Sequence, residues 1–164
     1  MHIRKMQADD WEQVSVIYAD GIAGRNATFE TNVPDWQFWD EKHLDVGRLV
    51  AVDNTDKILG FVGLSAVSHR AVYRGVTENT IYIANSAQGQ GVGSALMQAL
   101  IDEAEADGIW MILATTFPEN KASIALHQKF GFRMIGYRER IAQLDGVWRN
   151  TVMLERRSKV IGNE

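Results

Sequence analysis

The stretch that decides the fold is S-A-Q-G-Q-G-V-G-S-A-L-M, residues 86–97, in which three of the five positions 89–93 are glycine. Upstream, residues 77–83 alternate like a strand, and downstream the apolar residues recur at helical spacing as far as Gly108. A glycine-rich turn that opens a helix presents backbone N–H groups without Cβ atoms in front of them, and the helix dipole favours an anion there. The sequence therefore predicts either a phosphate-binding loop or a tight turn that merely begins the helix.

The rest of the chain alternates between helical and strand patterns. Helices are predicted after Asp9, up to the point where Gly21 and Gly24 break the pattern, and after Pro34. Trp36 and Trp39 share a helical face, which indicates packing in the core or under a lid. Strands are predicted, in order, over 48–53, 57–67, 77–83, 110–116, 133–143 and 147–155, with a short helix over 121–130.

Composition limits the classes of protein and partner. With 164 residues, the chain fits one domain over 1–164, and we expect 155–164 to form a flexible tail. Seventeen basic and 21 acidic residues give a net charge of −4 without a basic stripe, so no nucleic acid partner is predicted. The absence of cysteine excludes disulfides, thiolate metal sites and cysteine catalysis, and no metal is predicted. Residues 58–67 are the longest apolar-rich run, about half a membrane span, so we expect no membrane contact and a cytoplasmic protein.

Two well-known phosphate loops match this stretch poorly. A P-loop requires a lysine after its last glycine, and no lysine occurs between Lys57 and Lys121. A dinucleotide-binding loop requires a different glycine spacing and an acidic residue about 20 positions downstream, whereas residues 109–113 carry no carboxylate. A nicotinamide enzyme thus stays a weak alternative.

A third pattern matches more of the chain. Residues 88–93, Q-G-Q-G-V-G, have the Q/R-x-x-G-x-G/A spacing of the pyrophosphate loop in the GNAT superfamily of acetyl-CoA-dependent N-acetyltransferases, which the element order also resembles. Residues 120–132 resemble the second half of that fold. Residues 26–31, 76–83 and the pair Leu126-His127 resemble its phosphinothricin and methionine sulfoximine branch. The resemblance implies an α+β fold with a mixed, mostly antiparallel sheet and helices on both faces.

The resemblance also implies where acetyl-CoA binds. In the family, the strand before the loop splays from its neighbour and offers backbone groups to the pantetheine arm. The glycine loop holds the diphosphate, and an asparagine and its helix contact the arm. Carried onto this sequence, the cofactor-binding residues are Ile81, Tyr82, Ile83, Gln88, Gly89, Gln90, Gly91, Val92, Gly93, Ser94, Asn120 and Ser123.

Attack of an amine on a thioester requires a base, carbonyl polarisation and a proton for the leaving thiolate. By resemblance, Glu78 is the general base, acting through water, and the N–H of Ile83 polarises the carbonyl. His127 occupies the place where many relatives carry a tyrosine acid, and histidine can transfer protons near neutral pH. A lone helical histidine can equally be a packing residue.

The predicted acceptor is the primary amine of a small molecule, of the amino-acid type that this branch acetylates. A substrate carboxylate calls for a guanidinium, and the predicted substrate-binding residues are Phe29, His69, Arg70, Tyr73 and Glu78. Typical members read R-P and W-x-D where this chain has Arg70-Ala71 and Trp148-Arg149-Asn150, which leaves the acceptor's identity open.

Two other functions remain open at this point. The chain could acetylate a protein or peptide N-terminus, or it could bind coenzyme A as a sensor without turnover. The family's frequent dimerisation, together with the predicted C-terminal hairpin around Asp145-Gly146, predicts a homodimer.

Overall fold

A central sheet and four helices make up the structure, a computed structural model that describes residues 1–162. The helices are α1 (Trp11–Ala23), α2 (Trp36–Lys42), α3 (Val92–Ala106) and α4 (Lys121–Lys129). The strands are β1 (His2–Lys5), β2 (Leu49–Val52), β3 (Ile58–Ala66), β4 (Val76–Ile83), β5 (Met111–Thr116), β6 (Arg133–Leu144) and β7 (Val147–Arg157).

The sheet has seven strands in the order β1-β2-β3-β4-β5-β7-β6. All neighbours are antiparallel except β4 and β5, which are parallel because α3 crosses between them. Tyr18 of α1 packs on Tyr82 of β4, while His127 of α4 bonds to Asn79 of the same strand. Even and odd residues of a strand point to opposite faces, so helices cover both. The predicted α+β fold is confirmed.

The parallel pair of strands separates soon after it begins. Residues 76–78 of β4 pair with residues 111–113 of β5, and no later pair joins the two strands within residues 1–162. Beyond Glu78 the sheet therefore opens into a wedge between β4 and β5. This wedge determines where a ligand can enter.

The tryptophans of the second helix are part of the core, as predicted. Trp39 is only 2% exposed and stacks on His43 with 3.9 Å between ring centroids. Trp11 and Trp36 lie against Trp39, at 5.5 and 5.9 Å. Full burial of an aromatic ring contributes roughly 2–3 kcal/mol, so this cluster fixes α2 against the sheet.

The structure adds one strand to the prediction and separates the roles of two glycines. β1 was not predicted, because four residues with charged neighbours carry too little apolar pattern. α1 ends at Ala23, before Gly24 as predicted, but it runs through Gly21, where a Cβ atom would come within 2.5 Å of the Tyr82 ring, so Gly21 provides space rather than an end.

The predicted tail over 155–164 begins too early. β7 continues to Arg157, and Ser158 is buried. Arg156 and Ser158 both donate to Glu105 of α3, at 3.0 and 2.9 Å. Because these contacts are polar, no apolar pattern in the sequence indicates that residues 155–158 are ordered. Residues 163–164 lie outside the described part of the chain.

Candidate functional site

The wedge between β4 and β5 forms the floor of a cleft of about 870 Å³. Its walls come from α1 and the segment after it, from β4, from the glycine loop and from α4. We call residues 86–94 the phosphate loop and residues 24–30 the acceptor loop. Both loops contribute lining residues to the same cleft, which suits a two-substrate reaction.

The phosphate loop presents bare backbone at the start of α3. Gly89 and Gly91 have φ of 73° and 84°, a conformation that glycine adopts at little cost, and a Cβ atom on either would meet nothing within 4 Å. Gly91 precedes α3 without any side-chain cap, so the first N–H groups of the helix are available to a ligand. The side chains of Gln88 and Gln90 bond within the turn, to Asn85 and to the carbonyl of Ser86. Apart from Gln90, the predicted residues of this loop line the cleft.

The backbone of β4 also faces the wedge, at every second residue. Ala84 N–H donates to the Leu59 carbonyl on the β3 side, at 2.9 Å, and the pairing of Tyr82 with Phe61 continues that alternation. The main-chain groups of Asn79, Ile81 and Ile83 consequently point into the wedge. Those of Tyr82 point to β3, although Tyr82 also lines the cleft.

Glu78 stands at the last paired position of β4. It is half-buried and lines the cleft, next to Ser65 on β3. Within residues 1–162 its carboxylate has no hydrogen bond or ion pair to another side chain or to the backbone. A free carboxylate at the opening of the wedge can accept a proton.

His127 lines the cleft but is largely buried, with 3% of its surface exposed. Its Nδ1 lies 2.7 Å from the Ser123 carbonyl oxygen, which can only accept, so the proton is on Nδ1. Nε2 then accepts from the Asn79 amide, 3.0 Å away. Burial lowers the pKa of His127, which keeps the ring neutral. Both nitrogens are occupied by the protein, and the ring links α4 to β4.

Asn120 and Ser123 lie at the other end of α4, where they line the cleft as predicted. Asn120 caps the helix, since its Oδ1 accepts from the Ser123 N–H at 3.1 Å. Its Nδ2 donates to the Asn26 carbonyl at 3.0 Å. Asn120 therefore joins the start of α4 to the loop that contains Asn26.

Most of the predicted substrate-binding residues do not reach the cleft. Phe29 packs edge-on against Phe117, with 4.9 Å between ring centroids. The Arg70 guanidinium lies over the Tyr73 ring at 5.4 Å, and His69 is exposed beside them. None of these four is among the lining residues, so Glu78 is the member of the predicted set that faces the cleft.

Other polar side chains, which the sequence analysis missed, line the cleft instead. Asp20 and Glu30 bring carboxylates, Lys42 brings an ammonium group, and Asn26 and Thr28 bring further polar groups. Asp20 and Lys42 look like the solvent-facing residues of amphipathic helices, so spacing alone gave no sign of them. The residues 26–31 were noted for their resemblance, but only Phe29 was selected.

The described residues, 1–162, show no helix long and apolar enough to cross a membrane. Over the same range, no group of three or more histidine, aspartate or glutamate side chains could hold a metal ion.

Comparison with known proteins identifies the family of this chain. Residues 7–132 match the model of the Acetyltransferase (GNAT) family. The chain is 33% identical to a phosphinothricin N-acetyltransferase of Alcaligenes faecalis, over 94% of this chain and 81% of that one. It is 28% identical to an L-methionine sulfoximine/L-methionine sulfone acetyltransferase of Pseudomonas paraeruginosa, over 93% and 92%.

A solved structure gives the same result for the fold. The GNAT superfamily phosphinothricin acetyltransferase from Sinorhizobium meliloti, in complex with AcCoA, superimposes with a TM-score of 0.90 and 26% identity over 99% of this chain and 91% of that one. The predicted resemblance is confirmed, and the chain belongs to the GNAT family of acetyltransferases.

Proposed function

We propose that this protein transfers the acetyl group of acetyl-CoA directly to the primary amine of a small molecule, with Glu78 as the general base. The observation that carries this proposal is the unpaired Glu78 carboxylate at the point where β4 and β5 separate. The phosphate loop lines the same cleft, so a bound donor and the base would share one space.

The residues present fit acetyl-CoA. The open space before Gly89 and Gly91, with the uncapped start of α3, suits a diphosphate. The main-chain groups of Ile81 and Ile83 suit the amides of the pantetheine arm. Acetyl-CoA, when bound, supplies the acetyl thioester.

Each remaining task falls to a group of this chain. Glu78 takes a proton from the ammonium form of the substrate, through a water molecule, and so generates the free amine. The N–H of Ile83 polarises the thioester carbonyl. The acid role predicted for His127 does not fit its contacts, because Nδ1–H is held by a carbonyl and Nε2 carries no proton. His127 instead positions β4 against α4.

The proposed acceptor is an amino-acid-like amine, of the type named for the relatives from Alcaligenes faecalis and Pseudomonas paraeruginosa. Asp20 and Glu30 suit its ammonium group. Lys42 is the only lysine or arginine among the lining residues of the described chain, so Lys42, rather than Arg70, would meet a carboxylate.

The test is release of free thiol from acetyl-CoA in the presence of an amine panel. The panel holds phosphinothricin, methionine sulfoximine, methionine sulfone, a diamine and a short peptide with a free N-terminus. We expect turnover with at least one of the three amino-acid analogues. Turnover with the peptide alone would favour N-terminal acetylation, and cofactor binding without any turnover would favour a sensor.

A variant isolates the role of Glu78. Glu78→Gln should lower kcat by about 10²–10⁴-fold, the usual contribution of a general base, while the Kd for acetyl-CoA stays within about twofold. Glu139→Gln, at an exposed position on β6, is the control. If Glu78→Gln turns over like Glu139→Gln, Glu78 is not the base.

We also propose a homodimer that forms through β6 and β7. β6 is an edge strand of the sheet, and edge strands with exposed apolar side chains tend to pair with another chain. The exposed apolar residues of this hairpin are Met134, Ile135, Tyr137, Ile141, Val147 and Trp148. Sedimentation of the wild type and of Tyr137→Lys at micromolar concentration tests this: a dimer that the variant weakens supports it, and a wild-type monomer contradicts it.

A cytoplasmic location stays a proposal as well. A chain without cysteine needs no oxidising compartment. Fractionation of the native host cells, with immunodetection of the protein, is the test, and recovery in any fraction other than the cytoplasm would contradict it.

A further inference from the structure

One tyrosine hydroxyl group on the α1 side of the cleft has no hydrogen-bond partner. Tyr18 is only 8% exposed and lines the cleft, and within residues 1–162 its hydroxyl group forms no hydrogen bond. The unpartnered polar side-chain atoms that are fully enclosed in this part of the chain are Trp39 Nε1 and Thr151 Oγ1, so the Tyr18 hydroxyl group reaches the open space of the cleft. Buried polar side chains normally have a partner. A ligand in the cleft can supply the one that Tyr18 lacks.

A carboxylate lies near that hydroxyl group. Glu30 belongs to the acceptor loop, lines the same cleft and forms no ion pair with any residue in the range 1–162. Burial, together with the charge of Glu30, raises the pKa of Tyr18 to about 12, so the hydroxyl group keeps its proton at neutral pH. Its oxygen can still accept a hydrogen bond. Glu30 and Tyr18 therefore both offer oxygen acceptors, which suit a protonated nitrogen.

These two acceptors lie on the same face of the sheet as Glu78, but further along β4. Tyr18 packs on Tyr82 of β4, with 4.9 Å between the ring centroids. The side chains of Glu78 and Tyr82 share a face because the residues are four positions apart on one strand. Their α-carbons are about 13 Å apart along the strand. The two positions therefore call for two different groups of one acceptor molecule.

The charges that line the cleft are unequal. The carboxylates belong to Asp20, Glu30 and Glu78, whereas Lys42 is the only lysine or arginine among the lining residues of the described chain. None of these four side chains forms an ion pair with another residue within 1–162. An acceptor with one ammonium group and one carboxylate would leave this imbalance unchanged, and a second protonated nitrogen would reduce it.

We propose that the acceptor carries a second protonated nitrogen, which binds the Glu30 carboxylate and the Tyr18 hydroxyl oxygen while its primary amine reacts at Glu78. The substrate class is then a basic amino acid or a diamine. Hydrogen bonds to a charged group are about twice as strong as neutral ones, and the exposed Asp20 adds a weaker attraction. The inference rests on the proposed acetyl transfer at Glu78.

A purely structural role for these residues makes a different prediction. If Tyr18 only packs in the core and Glu30 only keeps the surface polar, neither affects the choice between a charged and a neutral acceptor. Tyr18→Phe retains the ring and removes only the hydroxyl group, and Glu30→Gln retains the shape of the side chain and removes the charge. Selectivity therefore separates the two roles, and thermal midpoints report on packing.

The experiment compares pairs of amines that differ in the second nitrogen. Arginine and citrulline each have one primary amine and differ in the charge of the distal group, whereas cadaverine and pentylamine differ in the presence of a second amine. Titration calorimetry of the full chain saturated with coenzyme A gives affinities without reaction, and thiol release from acetyl-CoA gives kcat/KM. The variants are Tyr18→Phe and Glu30→Gln. Tyr73→Phe and Glu12→Gln are the controls, because both residues are exposed and neither lines the cleft.

We expect the wild type to prefer the more positively charged member of at least one pair by about tenfold or more, in Kd and in kcat/KM. Glu30→Gln should reduce that preference to about threefold or less, Tyr18→Phe should reduce it by about threefold, and both controls should keep it. The preference should shrink as salt is raised, because salt screens exposed charges. The pair with the larger preference separates a basic amino acid from a diamine, and either supports the assignment.

Three results would overturn the assignment. They are equal affinities within both pairs, no binding of any of the four amines, or a preference that stays at its wild-type value in Glu30→Gln and Tyr18→Phe. A protein that prefers the charged amines in calorimetry but releases no thiol leaves this inference intact and contradicts the proposed function. A protein that acetylates arginine and citrulline equally, and cadaverine and pentylamine equally, supports the proposed function and contradicts this inference.

Discussion

The phosphate end of the cleft is built from nine consecutive residues, 86–94, whereas the amine end combines side chains from α1, the acceptor loop, α2 and β4. If the diphosphate binds as proposed, it meets mainly backbone at the phosphate end, and the glycine spacing defines that site. The proposed amine would meet side chains that only tertiary packing brings together. The comparison teaches that the backbone geometry of one local segment can be predicted from a single sequence. A surface made of side chains from several distant segments is much harder to predict.

The amine end also depends on contacts with distant parts of the chain. Arg149 of β7 donates to the Arg25 carbonyl at 3.0 Å and lies over the Phe117 ring at 4.0 Å. Asn120 holds the Asn26 carbonyl from another direction. Arg25 forms an ion pair with Asp145 at 3.0 Å. The acceptor loop is thus positioned by residues about 90 to 120 places further along the chain.

The largest expected effect is at the phosphate end. Gly91→Val places a β-branched residue at a φ of 84°, so the turn must rearrange and its amides move. We expect the Kd for acetyl-CoA to rise by about 100-fold, as for the loss of several phosphate contacts. Gly108→Val is the matched control, because Gly108 has a φ of 80° just after α3 and does not line the cleft.

Both glycine variants should lose similar thermal stability, while only Gly91→Val loses affinity. Calorimetry with acetyl-CoA makes the comparison. Equal affinities in the two variants would mean that the turn does not hold the cofactor.

A pH titration compares the two buried histidines of the described residues, His43 and His127. His43 follows α2, next to Lys42, and burial lowers its pKa to about 4. The unfolded chain binds that proton near pH 6.5, so stability is complete above 6.5 and is lost as the pH falls towards 4. The free energy of unfolding should fall by about 2 kcal/mol between pH 7.5 and 5 because of His43 alone.

Urea unfolding of the wild type and of His43→Gln at several pH values checks this. The variant should lose that part of the pH dependence and keep the smaller part from His127, whose pKa burial also lowers. Parallel pH profiles in both proteins would show that His43 does not contribute.

A smaller effect is expected when Arg149, which holds the acceptor loop, is substituted. Arg149 is only 19% exposed, and Arg149→Met removes its bond to Arg25 and its contact with Phe117. The KM for the amine should rise by about tenfold, equivalent to roughly 1.4 kcal/mol of lost positioning. The Kd for acetyl-CoA should stay within about twofold.

Steady-state kinetics with the best amine of the panel measures this effect. Arg138→Met, on the exposed face of the neighbouring β6, is the control. A rise in the Kd for acetyl-CoA as large as the rise in the amine KM would contradict the separation of the two ends.

The smallest effect is expected from the exposed ion pair between Arg25 and Asp145, whose side chains are both about half exposed. Surface pairs contribute about 0–1 kcal/mol, so Asp145→Asn should change the amine KM by less than about threefold. The same kinetic assay applies. A rise in the amine KM as large as that of Arg149→Met would show that the Arg25–Asp145 pair, rather than the Arg149 guanidinium, positions the acceptor loop.

Features that depend on local sequence were predicted correctly, whereas features that depend on contacts between distant residues were not. The start of α3 at Val92 agrees with the prediction from glycine spacing, which is a local signal, and the wedge after Glu78 agrees with what the resemblance to the GNAT superfamily implied. His127 was placed in the right helix, but its tautomer depends on Ser123 and Asn79, and the latter bond crosses 48 residues of sequence.

The cation for an acceptor carboxylate shows why the rest could not be predicted. Arg70 lies close to Glu78 in sequence, yet its guanidinium packs on Tyr73 outside the cleft. Lys42 is 36 positions before Glu78 but reaches the cleft, because the tryptophans of α2 hold that helix against the core. We therefore propose Lys42 in place of Arg70, because Lys42 lines the cleft and Arg70 does not.

The most direct test of the account is a crystal structure of Glu78→Gln with acetyl-CoA. We predict diphosphate oxygens within about 3 Å of the N–H groups of residues 89–94, and the thioester in the wedge between β4 and β5, beside Ile83 and the substituted side chain at position 78. A phosphate loop without the diphosphate, or a thioester remote from position 78, would contradict it.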